Sequence, residues 1–102
     1  MTPEYDSNKQ DVIDELIGYS SEKYEGTTRQ NALEKLIGFK IIHDTVLVNL
    51  VKATTHHMWQ FSKFGRDTIR TLIKNQEYKD AFIRILPSLS EKEQFQLNRL
   101  IN

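Results

Sequence analysis

The sequence predicts an all-α protein, a small bundle of five or six helices around one long central helix. Three observations carry that expectation. From Thr28 to Phe61 the apolar residues sort onto one broad helical arc. Elsewhere the chain alternates short amphipathic stripes with helix-capping signals. The 102 residues also include only two prolines and four glycines, too few for a loop-rich or disordered chain.

In chain order, Thr2-Pro3 suits the opening of a first turn, because proline is tolerated at the first helical position. Ser7 and Gln10 have capping-box spacing, and Val12, Ile13, Leu16 and Ile17 form a narrow apolar stripe near the line of Tyr5. These predict a helix from about Ser7 to Lys23, closed by Gly26, with Asp11, Asp14 and Glu15 turned to solvent.

Thr27 or Thr28 then offers an N-cap to the central helix. At 100° per residue Glu34, Gly38, Thr45, Asn49 and Lys52 share a thin polar strip, and apolar residues fill most of the remainder. The β-branched run at 46–51 would also suit a strand. No turn signal divides Leu33 from Ala53, however, and strands seldom run that far. The expected helix covers about 28–53, with 61 as its outer limit. Continued to Phe61 it would be roughly 50 Å long, against a diameter of about 33 Å for a compact chain of this size. A break at Thr54-Thr55 removes the overhang, and a homodimer covering the exposed end is the alternative.

The heptapeptide from Ile13 to Tyr19 echoes that from Leu33 to Phe39. Two helices that pack alike or a duplicated docking motif would give such an echo, but a single seven-residue match between amphipathic helices favours chance convergence. Gly18 and Gly38 within it would allow close helix approach, at a cost of about 1 kcal/mol each.

Phe61 to Gly65 reads as a turn, after which Asp67 caps a short helix with Ile69, Leu72 and Ile73 inward. The apolar face changes phase near Asn75-Gln76, so Tyr78, Phe82, Ile85 and Leu86 belong to a further helix. Pro87 ends it. Ser90 and Glu93 form a capping box for the last helix, with Phe95, Leu100 and Ile101 inward.

One helical domain is expected over residues 1–102. Without cysteine there is no disulfide. No apolar run approaches the ~18 residues of a membrane span, and the acidic N-terminus does not resemble a signal peptide, so no membrane contact and a cytoplasmic location are expected. The net charge of zero hides an asymmetry: residues 1–34 carry eight acids and three bases, residues 52–85 seven bases and three acids.

Lys40, His43 and Asp44 fall within the apolar arc of the central helix. They are expected to form a buried, structural polar cluster in which Lys40 and Asp44 pair at i, i+4. Together with His56 and His57, the His43-Asp44 pair raises the outside reading of a histidine-based metal or hydrolytic site. On one straight helix His43 and His57 would stand roughly 21 Å apart, whereas zinc needs ligands about 2 Å from the metal. No metal, cofactor or catalytic residue is therefore expected. The chain also lacks a cysteine nucleophile, a Gly-x-Ser-x-Gly elbow and a glycine-rich phosphate loop.

Two features favour binding. Arg66, Arg70 and Lys74 recur every four residues, which predicts a basic helix over 66–75 like the second helix of a helix-turn-helix. The segment before it looks too short for a first helix, and a pI near 6.8 lacks the basic footprint of a nucleic-acid binder. His56, His57 and Trp59 lie where the central helix ends, with Met58, Phe61 and Phe64 beside them, and such residues serve as interface anchors. The expected function is a small non-catalytic regulatory, inhibitory or adaptor protein that binds a protein partner through His56, His57, Trp59, Lys63, Arg66, Arg70 and Lys74. A helix-turn-helix-like DNA-binding regulator is the alternative.

Overall fold

The computed structural model describes the backbone of residues 3–102 and side chains from Gln10 onward. Among the described residues the chain is all-α, with six α-helices, one 3₁₀ turn and no strand. It divides into two compact units, Met1–Ile41 and Ile42–Asn102.

The first unit pairs α1 (Pro3–Tyr19) with α2 (Gly26–Gly38). Helix α1 starts at Pro3, a turn ahead of the expected Ser7. Thr2 and the side chains of Tyr5 and Ser7, read above as stripe and caps, lie outside the described residues. It stops short of Lys23 because Ser20 turns back on it, its hydroxyl donating to the Ile17 carbonyl at 2.7 Å. Helix α2 begins at Gly26 with Glu25 in the cap position, so neither Thr27 nor Thr28 caps it. The two echoing heptapeptides behave alike: Ile13 and Leu33 are buried, while Tyr19 and Phe39 are exposed. Gly18 and Gly38 face open space, and no close approach uses them.

The second unit contains α3 (Asp44–Thr54), α4 (Trp59–Leu72), α5 (Gln76–Ile85), the 3₁₀ turn Leu86–Ser88 and α6 (Glu91–Ile101). Helix α3 is its hub, packed most extensively on α4 and also on α5 and α6. That explains its apolar surround: Val46, Leu47, Leu50, Val51 and Ala53 are all buried. Phe61 and Ile69 of α4, Phe82 of α5 and Leu97 of α6 complete this core.

The single helix over 28–53 is not formed. Its apolar stretch is divided at Phe39–His43 as well as at Thr55–Met58. At the first break α2 ends in a Schellman motif. The Lys40 N–H donates to the Ile37 carbonyl at 2.9 Å and the Ile41 N–H to the Leu36 carbonyl at 3.2 Å. Lys40 takes the left-handed position, φ 58°, that glycine usually fills. Helix α3 then starts afresh, with Nδ1 of His43 accepting the Thr45 N–H at 3.1 Å. Five non-helical residues also reset the helical phase, so Asn49 is buried rather than on a polar strip. The second break falls where the threonines predicted it.

Lys40, His43 and Asp44 are exposed, not a buried cluster. The loop separates Lys40 from Asp44, whose carboxylate instead accepts from Arg84 of α5 at 2.6 Å. The expected turn at Phe61–Gly65 is helical and belongs to α4. Gly65 is there for packing: a Cβ on it would lie 3.0 Å from Ala53 Cβ and 3.1 Å from the Thr54 nitrogen. Asp67 consequently sits mid-helix and caps nothing. The breaks near Asn75 and Pro87, and the Ser90–Glu93 capping box, are present as predicted. On α6 the inward anchor is Leu97, whereas Phe95 is 62% exposed.

Candidate interaction surface on α4 and α6

Helix α4 has a narrow buried side made by Phe61, Ser62, Gly65 and Ile69. The opposite side therefore faces outward for the whole length of the helix. Trp59 opens it, 65% exposed, and Met58 just before it is also exposed. The expected aromatic cluster is thus split by function. Phe61 closes the core, while the indole, the only one in the chain, stays outside.

The loop before α4 is ordered by its histidines. Nδ1 of His56 accepts the Met58 N–H at 3.0 Å, and its ring stacks on His57 at 4.3 Å and meets Phe61 edge-on. These two imidazoles follow the C-terminus of α3, while His43 caps its N-terminus, so the helix itself stands between them. Among the described residues no three His, Asp or Glu side chains gather to hold a metal ion.

Along α4 the basic residues separate into two environments. Lys63 donates to Asp67 at 2.6 Å, and Arg70 lies 3.6 Å from the same carboxylate. The hydrogen bond from Lys63, helped by the charges of Lys63, Arg70 and Arg66, holds the Asp67 carboxyl below the usual carboxylate range despite some opposing desolvation. Arg66 is half-buried and donates to the Ser62 hydroxyl at 3.2 Å. The helix ends at Leu72, so the predicted basic helix over 66–75 is too long by a turn, and Lys74 stands in the turn beyond.

Helix α6 contributes residues that the sequence reading missed. Arg66, Arg70, Arg99, Gln96 and Leu100 line a pocket of about 310 Å³ between α4 and α6. No carboxylate is among these lining residues. The Arg99 guanidinium also lies 5.7 Å from the centre of the exposed Phe95 ring. The signal was present: Phe95 and Arg99 are four residues apart on a capped helix, hence on one face. An open groove of about 420 Å³ in the first unit, walled by Val12, Leu16, Tyr19 and Ala32, has no comparable concentration of charge.

No family model, curated protein or solved structure matches the chain. Among the described residues no helix is long and apolar enough to cross a membrane.

Proposed function

We propose that this protein is a non-catalytic regulatory or adaptor module that docks on a protein partner through the outer face of α4 and the adjoining face of α6. The observation that carries this reading is Trp59, an indole left 65% exposed at the start of a helix whose other side is fully packed. Burying such a ring is a large source of binding free energy, and Trp and Arg are the residues most enriched at interface hot spots. Here one indole and the exposed Phe95 ring accompany Arg66, Arg70 and Arg99. Their charge suits an acidic partner surface.

The test is affinity capture from nuclease-treated lysate of the source cell, comparing the wild type with Trp59→Ala. A protein retained by the wild type and depleted by the variant is the expected result. A capture pattern identical for both contradicts the proposal.

A second reading is favoured by one observation. Helices α3 and α4 are joined by only four residues, 55–58, a connection of the length that joins the two helices of a helix-turn-helix. Against it stands Asp67, an acid in the middle of the outer face of α4. Retention on a polyanion column that falls steeply with salt and is lost in Arg66→Ala/Arg70→Ala would favour this reading; no retention at low salt dismisses it.

A further inference from the structure

We infer that the pocket between α4 and α6 is an oxyanion site that takes a phosphomonoester, the phosphate of a phosphorylated side chain on the partner protein. The inference rests on the protein-docking reading for the source of the phosphate, though not for its chemistry. Three arginines, Arg66, Arg70 and Arg99, line one small concavity with Gln96 and Leu100, and no acidic residue is among them. Surface arginines gathered this closely repel one another unless acids intervene, and here Asp67 lies 3.6 Å from Arg70 and outside the pocket lining. Guanidinium donors in planar forks match the oxygens of a phosphate, and a dianion offsets more of this charge than a singly charged group does.

The shape selects a single phosphate over a nucleic-acid backbone. A backbone needs a continuing cationic track. The outer row of α4 is instead interrupted by Asp67, which already holds Lys63 at 2.6 Å, and the chain as a whole carries no net charge. Beside the pocket, Phe95 offers an exposed ring with Arg99 against it, a platform for the residue that bears or adjoins the phosphate. A pocket of about 310 Å³ is at the small end of ligand sites, enough for a phosphorylated side chain.

The experiment is a titration of the full chain with phenyl phosphate at low salt, read from the arginine Nε–Hε signals in ¹H–¹⁵N NMR. Saturable shifts confined to Arg66, Arg70 and Arg99 are expected. Affinity should fall about tenfold in Arg70→Gln/Arg99→Gln and stay unchanged in Lys23→Gln. It should also weaken as the pH drops below about 6, where the phosphomonoester becomes a monoanion, while sulfate shows no such dependence. Absence of saturable shifts, or equal binding by the arginine double variant, overturns the site. Stronger competition by a duplex oligonucleotide than by a phosphotyrosine peptide overturns its assignment to a phosphoprotein. Because phenyl phosphate need not touch Trp59, a failed Trp59→Ala capture result sinks the docking reading and the phosphate's assignment to a partner protein but leaves the pocket's chemistry standing, whereas a failed titration sinks the pocket alone.

Discussion

The ammonium of Lys52 on α3 lies 3.2 Å from the Glu93 carboxylate on α6, and the same carboxylate accepts the Ser90 N–H at 3.0 Å. One side chain thus caps α6 and ties it to the hub helix, which fixes the face that α6 turns outward. Lys52 and Glu93 are only 28% and 12% exposed, so this pair is less screened by water than an ordinary surface ion pair. Glu93→Gln should destabilise the protein by about 1–2 kcal/mol in urea unfolding, combining a weakened cap with the lost charge pair.

The same residue predicts a pH dependence. Burial pushes the Glu93 carboxyl up, but the Ser90 backbone N–H and the nearby Lys52 outweigh it and hold it below the ordinary 4.5. A carboxyl depressed on folding contributes stability that is present above its unfolded value and lost as the pH falls through its folded value. Unfolding free energy should therefore decline with acid below about 4.5, and the Gln variant should show a shallower decline over that window.

At the first break, Lys40 occupies a left-handed backbone position, φ 58°. A non-glycine residue there costs about 1 kcal/mol or more. Lys40→Gly should raise the stability by roughly 0.5–1 kcal/mol, since the relieved strain exceeds the added flexibility of the unfolded chain. A lower melting temperature for this variant would show that the Schellman turn does not form.

The glycines divide sharply. Gly65→Ala should lose about 1–3 kcal/mol despite better helix propensity, because its methyl would meet backbone atoms of α3, the Thr54 nitrogen at 3.1 Å and the Leu50 oxygen at 3.2 Å. Gly18→Ala and Gly38→Ala meet nothing within 4 Å and should gain up to about 1 kcal/mol from propensity alone. Thermal melts of the three single variants check both signs.

Phe95 and Leu97 make a matched pair on α6. Leu97→Ala should cost about 2–5 kcal/mol, whereas Phe95→Ala should stay within about 0.5 kcal/mol of the wild type. Equal losses in chemical unfolding would place Phe95 in the core and remove it from the proposed surface.

These residues also mark how far the sequence could be read. The all-α class and the later helix boundaries were legible because Pro87, Asn75 and the Ser90–Glu93 box act locally, within a turn of themselves. The division at Phe39–His43 was not, because the left-handed position fell on Lys40 while the visible glycine stood two residues earlier. Gly65 misled for the opposite reason. It read as a turn, yet its role is tertiary, to let α4 approach α3, and only a partner helix reveals that. Half of the candidate surface was visible, since Trp59, Arg66 and Arg70 announce themselves on one helix. Arg99 joins them across 29 residues of chain, through packing that no local pattern encodes.

The most direct test of the docking surface uses Trp59 itself, the single tryptophan of the chain. Labelled with 5-fluorotryptophan, the protein should give one ¹⁹F resonance that responds to the solvent. On addition of the captured partner that resonance should shift and lose its solvent sensitivity, and Arg70→Gln/Arg99→Gln should require at least tenfold more partner for the same change. A complex that forms while the Trp59 resonance stays unshifted and solvent-sensitive would contradict the assignment of this face as the binding surface.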